Sequence, residues 1–103
     1  MNGVDLIAAE RKRQIEEEGW TAEHDAEHPQ GHLALAGAVY GLDYAFDAMS
    51  NHKGSPLAEQ VIPLLWPWDK KWFKPTHDDP IRQLVKASAL MAAEIDKLLK
   101  EAE

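Results

Sequence analysis

A chain of 103 residues is long enough for one domain, whereas two domains would each bury too little apolar surface to fold alone. Apolar residues make up 45% of the chain and charged residues 28%, which is a globular composition rather than a disordered one. The 11 Lys and Arg residues against 18 Asp and Glu give a formal net charge of -7, which argues against duplex nucleic acid as the main partner. Because the chain has no cysteine, disulfides, thiolate metal sites and thiol nucleophiles are excluded.

The charged N-terminal segment and the short length of the longest apolar stretch together predict a cytoplasmic protein. The N-terminal segment MNGVDLIAAERKR carries charge within a few residues and does not resemble a signal peptide. The longest stretch without charge or strong polarity, Leu33 to Leu42, is far shorter than the ~20 residues of a membrane span. We therefore expect no membrane partner.

The first predicted elements are a long helix and a short turn. Asp5 is predicted to cap a helix that runs to about Glu18, with Gly19 as its end. Trp20 follows as a hydrophobic anchor, and Thr21 is predicted to cap a single turn. Pro29 and Gly31, in the segment HPQG, then exclude a continuous helix.

The second long helix is predicted from Leu33 to about Met49. Its apolar residues recur at spacings of three and four, and further apolar side chains widen the seam, so we expect burial on more than one side. These residues are Leu35, Val39, Leu42, Phe46 and Met49, widened by Leu33, Ala36, Tyr40 and Tyr44. Gly37 and Gly41 weaken the helix, so each is expected to allow close approach of another backbone or of a ligand.

The remaining elements follow from serine and proline positions. Residues 50–55 form a predicted loop, and Ser55 with Pro56 begins a helix that ends near Leu65, where Pro63 imposes a kink or an early stop. Prolines keep the segment 66–80 irregular, and Asp79 with Pro80 begins a final helix that runs to about Lys100. One face of this helix carries Ile81, Leu84, Ser88, Met91, Ile95 and Leu98, and Ser88 is expected to be a packed small residue. The opposite side carries Arg82, Lys86, Ala93, Lys97 and Lys100.

No segment shows the alternation of a strand. The predicted fold is therefore all-α, with residues 1–103 in a single helical domain. We expect a small bundle of three main helices and a short one, with a long loop rich in Trp and Pro.

The loop WPWDKKWFK is the most informative segment for function. Aromatic faces stack on nucleobases, and ammonium groups meet phosphates, so this composition predicts a nucleotide-type ligand. The alternative is that the tryptophans pin the loop to the core and the lysines solvate it. The candidate ligand-binding residues in this loop are Trp66, Trp68, Lys70, Lys71, Trp72 and Lys74.

A second candidate site lies in EHDAEH. His24 and His28 are four residues apart, so one helical turn would place both imidazoles on one face, as metal ligands require. His24, Asp25 and His28 are therefore the candidate metal ligands. The alternative is a polar turn in which Asp25 or Glu27 accepts hydrogen bonds from the backbone or from nearby arginines.

A third candidate site lies on the first helix. Arg11 and Gln14 are three residues apart on one side and are predicted to reach a shared acceptor, and Trp20 and His24 complete the candidate ligand-binding residues. The alternative for the run Arg11 to Arg13 is a solvated face offset by Glu16 to Glu18.

Several segments together resemble a family of small phage and prophage proteins. They are AERKRQ (9–14), EGWTAEHD (18–25), His28, GHLALA (31–36), WPWDKKWFKP (66–75) and RQLVKASALMAAEI (82–95), and they span most of the chain. The resemblance implies a phage or prophage setting and hence the cytoplasm of a host cell. It does not carry an activity with it.

A more distant similarity is to the all-α nucleoside triphosphate pyrophosphohydrolases, the MazG-like group. The similarity lies in the ERxxQ-like first helix, the Trp and His that follow it, and the alanine-rich last helix. It implies a helical fold and a nucleotide ligand. That group holds Mg²⁺ with ExxE and ExxD motifs, which this sequence lacks, and its second long helix carries only Asp43 and Asp47 as carboxylates.

Three functions remain open. The first is a non-catalytic nucleotide-binding protein without catalytic residues, which sequesters a nucleotide signal of host defence. The second is a divergent Mg²⁺-dependent pyrophosphohydrolase that uses Glu16, Glu17, Glu23, Asp25 and one of Asp43 and Asp47. The third is a protein-interaction module that acts on a host partner. Because a broad apolar helix exceeds what so small a chain can bury, we expect a homo-oligomer in each case.

Overall fold

The computed structural model describes residues 1–50 and 56–103, and its described residues form helices and loops without a strand. The helices are α1 (Gly3–Glu18), α2 (Ala22–Asp25), α3 (His32–Ser50), α4 (Pro56–Leu65) and α5 (Pro80–Glu101), and a 3-10 turn covers Lys70–Trp72. The all-α prediction is confirmed, as is the long loop between α4 and α5. Of the loop predicted at residues 50–55, residues 51–55 with the Ser55 cap lie outside the described residues, and Ser50 is the last residue of α3.

Side-chain caps define the helix ends. Asn2, not Asp5, caps α1, so the predicted cap was wrong by one turn. Asn2 accepts a hydrogen bond from the Asp5 backbone, while the Asp5 carboxylate accepts one from the Asn2 backbone, a reciprocal capping box. Gly19 ends α1 in the left-handed region at φ 74°, as its position predicted. Thr21 caps α2 through its hydroxyl, which accepts from the His24 backbone.

The pair α3 and α5 forms the centre of the fold. A Cβ built on Gly37 would lie 2.7 Å from the Ala87 carbonyl oxygen, so only glycine permits this helix spacing. The close approach predicted for Gly37 is confirmed, whereas a Cβ on Gly41 would meet nothing within 4 Å. The core cluster between the two helices consists of Leu33, Ala36, Tyr40, Ala87, Leu90 and Ala93.

A second cluster joins α3 to α4. Val39 of α3 packs against Ala58 and Ile62 of α4, so α3 is buried on two sides, as predicted. Pro63 is accommodated inside α4, which continues to Leu65. Leu35 and Met49, the first and last residues of the apolar seam predicted on α3, are exposed and lie outside both clusters.

The orientation of α5 differs from that of an ordinary amphipathic surface helix. The face that contains Ile81, Leu84, Met91, Ile95 and Leu98 is exposed to solvent, although such a face normally packs on the core. The buried positions on α5 instead include three polar residues, Gln83, Glu94 and Lys97. Ser88, expected to be packed, is half-buried and donates to the Leu84 carbonyl.

The buried polar residues of α5 connect it to other elements. Glu94 accepts a hydrogen bond from the Ala34 backbone and so caps the first turn of α3. The Lys97 ammonium donates to the His28 carbonyl at 2.6 Å, which holds the connection between α2 and α3. In the described ranges, no helix has both the length and the apolar character to cross a bilayer.

Candidate functional site

A pocket of about 510 Å³ lies between α1, the segment after it, α3, α5 and the tryptophan loop. This volume is within the range of small-molecule sites. α1 contributes Glu10, Arg13 and Gln14, and the segment after it contributes Trp20, His24, Asp25 and His28. The remaining lining residues are Leu33, Tyr40, Trp66, Trp68, Asp69, Trp72, Lys86 and Leu90.

The aromatic wall is partly structural. Trp66 lies 5.5 Å from the Tyr40 ring centroid and 5.0 Å from that of Phe73, and it packs against both core clusters. Trp68 lies against the core and 4.9 Å from His28, while its buried Nε1 has no hydrogen-bond partner among the described residues. Trp66 therefore anchors the loop, whereas Trp68 also presents an unsatisfied donor at the pocket wall.

Trp72 occupies a different environment. It is 58% exposed although it lines the pocket, and the ammonium groups of Lys71 and Lys74 lie 5.3 and 5.9 Å from its ring centroid. These distances are within the range of cation–π contacts. Lys70, Lys71 and Lys74 do not line the pocket, but the contacts of Lys71 and Lys74 with Trp72 place two positive charges at its rim.

The charged wall is built around Glu10. Arg13 binds its carboxylate through two hydrogen bonds of 2.9 and 3.0 Å, and Arg82 adds one of 2.7 Å. Burial alone would raise the pKa of Glu10, but the hydrogen bonds from the two arginines outweigh it and lower the pKa to about 2. The Gln14 amide donates to the same carboxylate at 3.3 Å, so this wall is a hydrogen-bonded network.

Lys86 supplies the cation on the α5 side of the pocket. Its ammonium lies 4.9 Å from the Tyr40 ring centroid and donates to the Thr76 hydroxyl at 2.7 Å and to the Lys74 carbonyl. Burial lowers the pKa of Lys86. Because three groups fix this ammonium, it presents a charge at a defined position beside the aromatic wall.

The histidine turn forms a cluster of ligand-type atoms at the pocket. His24, Asp25 and His28 each offer one atom within 4.8 Å of the others, and the two imidazole centroids are 5.9 Å apart. Burial lowers the pKa of His28, which favours the neutral imidazole that a metal ligand requires. Two imidazoles and one carboxylate suit Zn²⁺ and similar metals better than Mg²⁺, which prefers oxygen ligands.

Arg11 lies behind the pocket rather than in it. It is buried, so the solvated face proposed as an alternative is wrong for this residue. Its guanidinium donates to the Trp20 carbonyl at 3.0 Å, to Asp96 at 3.0 Å and to Asp25 at 3.5 Å. The contact with Asp25 is the one proposed for a polar turn. Arg11 also donates to Gln14 at 3.4 Å, so the two side chains bind each other.

The structure thus brings together eight of the predicted residues. Trp66, Trp68, Trp72, Gln14, Trp20, His24 and the neighbouring metal candidates Asp25 and His28 line the pocket, while Arg11, Lys70, Lys71 and Lys74 do not. Sequence reasoning missed Glu10, Arg13, Tyr40 and Lys86. Glu10 and Arg13 flank the predicted Arg11, and their spacing of three residues was the available signal for an ion pair.

The carboxylates considered for hydrolysis are dispersed. Asp25 lines the pocket, but Glu16, Glu17 and Glu23 are exposed and do not. Asp43 is buried elsewhere, where it contacts His77 at 2.6 Å and accepts from Gln83 at 3.0 Å. Asp43, Asp47 and His77 form a separate group of potential ligand atoms.

No family model matches this chain, and searches of curated proteins and of solved structures also give no match. The site is therefore interpreted from its own geometry.

Proposed function

We propose that this protein binds a small nucleotide-type ligand in the pocket and does not hydrolyse it. The observation that carries the proposal is the meeting of Trp68 and Trp72 with the fixed ammonium of Lys86 in one pocket of about 510 Å³. A nucleotide needs an aromatic face for its base and cations for its phosphates.

The details of the pocket support this ligand class. The Nε1 group of Trp68 is a buried donor that a base carbonyl or ring nitrogen would satisfy. Lys71 and Lys74 at the rim add cations next to Trp72, where the phosphate groups of a bound nucleotide would extend out of the pocket. Three lysine ammonium groups thus lie beside the aromatic rings Trp72 and Tyr40 in a chain of net charge -7.

Sequestration is the role that we propose for this binding. The resemblance to small phage proteins supports a setting in the host cytoplasm, where removal of a nucleotide signal would weaken host defence. Glu16, Glu17 and Glu23 lie outside the pocket, and its lining carboxylates Glu10 and Asp25 are bound by arginines, which favours binding over Mg²⁺-dependent hydrolysis because that catalysis needs clustered carboxylates open to the cation.

The test is an incubation of the protein with triphosphates, cyclic dinucleotides and ADP-ribose derivatives, with Mg²⁺, with Zn²⁺ and with EDTA. The protein is removed by filtration, the filtrate is chromatographed, and the retained protein is denatured to release what it holds. A nucleotide that disappears and returns intact supports the proposal. New products in the filtrate would instead establish the enzyme, and an unchanged panel would favour a protein partner.

Matched variants locate the binding. Trp72→Ala is expected to weaken retention ~5- to 150-fold, because base stacking contributes ~1–3 kcal/mol. Lys71→Ala is expected to weaken retention as well, because it removes a cation at the rim. Lys12→Ala, which removes an exposed lysine of α1 outside the pocket, is the control and should retain full binding. Retention unaffected by both pocket variants would refute the assignment of this pocket.

A further inference from the structure

The exposed face of α5 is not an ordinary solvent face. Ile81, Leu84, Met91, Ile95 and Leu98 are between 39% and 65% exposed, and Ser88 is the remaining position of this stripe. The stripe contains no charged residue, although 28% of the chain is charged. An uncharged apolar strip about 26 Å long marks an interaction surface.

The spacing within the stripe matches helix pairing. Its positions alternate by three and four residues, which is the a and d pattern that keeps one seam facing a partner helix. The pattern is the same when it is read from either end. A second copy in the opposite direction therefore places Leu84 beside Ile95, Ile81 beside Leu98 and Ser88 beside Met91.

α3 provides independent support for a close neighbour on this side. The Met91 side chain lies against Gly37, 3.3 Å from the position of an added Cβ. Gly41 lies one turn further along the same face of α3, and no atom would contact its Cβ within 4 Å. Gly41 weakens a helix relative to alanine, and within one copy no close packing compensates for it.

The helix dipoles favour the antiparallel direction, because the dipoles of two α5 helices that run in opposite directions attract each other, whereas parallel dipoles repel. Since each copy carries a net charge of -7, contact between copies is least opposed on the uncharged stripe.

We propose that two copies of this chain form a two-fold symmetric dimer by packing their α5 stripes antiparallel, with the α3 surface at Gly41 beside the seam. This surface lies on the opposite side of α5 from Lys86, so the dimer leaves the ligand pockets of both copies accessible. The proposal does not depend on ligand binding, and either can fail alone.

The first test is analytical ultracentrifugation of the full chain between about 1 and 100 μM. We expect a dimer, and we expect Ile95→Glu to raise the dissociation constant at least ~100-fold because it buries a carboxylate in the seam. Leu64→Glu, at an exposed apolar residue of α4, is the control and should not change the dissociation constant. A monomer throughout this range, or a dimer insensitive to Ile95→Glu, would overturn the proposal.

The second test fixes the direction and does not depend on a destabilising charge. Since the chain has no cysteine, Leu84→Cys and Ile95→Cys introduce single thiols. An antiparallel seam predicts oxidative cross-linking when the two variants are mixed, and little when each is oxidised alone, because identical positions are about 16 Å apart along the axis. Cross-linking of each variant alone without preference for the mixture would overturn the antiparallel arrangement.

Discussion

The ion-pair network at Glu10 allows a quantitative prediction. Its folded pKa of about 2 lies well below the ordinary value of 4.5, because Arg13 and Arg82 bind the ionised carboxylate. A depressed carboxyl pKa stabilises the folded state above the ordinary pKa, and this stability is lost as the pH falls toward the folded value. The difference corresponds to about 3 kcal/mol at pH 7, of which roughly 2 kcal/mol is lost by pH 3.

Glu10→Gln preserves the shape of the side chain and removes this charge. We expect the variant to lose about 3 kcal/mol of unfolding free energy at pH 7, which lowers the Tm by roughly 4–8 °C per kcal/mol. Between pH 5 and pH 2 the wild type should lose stability more steeply than the variant. Urea denaturation at pH 7 and pH 3, followed by circular dichroism, measures both effects.

Glu16→Gln is the control, since Glu16 is an exposed acidic residue of the same helix. It should change stability by less than ~0.5 kcal/mol at either pH. If wild type and Glu10→Gln lose equal stability between pH 7 and pH 3, the ion pairs do not stabilise the fold as reasoned.

Three further predictions concern packing and protonation. Gly37→Ala should destabilise by ~1–3 kcal/mol in thermal unfolding, because its methyl group meets a carbonyl oxygen of α5, whereas Gly3→Ala has open space and should not; equal Tm values would refute the close approach. His28 has a lowered pKa, so the wild type should lose more stability than His28→Gln as the pH falls below about 6.5, and parallel pH profiles would contradict this. Trp66→Ala should cost ~3–5 kcal/mol by urea denaturation and Trp72→Ala less than ~1 kcal/mol, and similar losses would contradict the division between core and pocket.

Local signals predicted the helices well. Gly19, Thr21 and the pair Asp79–Pro80 act on the backbone within one turn, so their effects can be read from neighbouring residues. The error at Asp5 has the same origin, because Asn2 and Asp5 both have cap-type side chains and only their reciprocal bonding decides between them.

The burial pattern of α5 could not be predicted in the same way. Periodicity identified the apolar face, but it does not show whether that face meets the chain's own core or another surface. Lys97 lies on the side opposite the stripe, as predicted, yet it is buried because its ammonium donates a hydrogen bond to the His28 carbonyl, 69 positions earlier in the chain. Glu94 likewise caps α3 from a distance of 60 positions.

The candidate site shows a similar division. The tryptophan loop and the histidine turn were identified because their residue types are concentrated in short segments. Glu10, Arg13 and Lys86 come from two helices, and only their meeting in space gives them a place at the pocket. Their individual residue types are common on solvated helices and carry no such information.

The attachment of α1 has a consequence for the shape of the pocket. Its buried residues are Glu10, Arg11 and Gln14, which hold the helix in place through hydrogen bonds and ion pairs rather than through an apolar interface. Apolar contacts tolerate small sliding motions, but directional bonds are lost together when a helix shifts by a single residue. The part of the pocket wall that α1 contributes therefore has a fixed register against its neighbours. The geometry of these polar contacts determines the position of α1 more than the burial of apolar surface does.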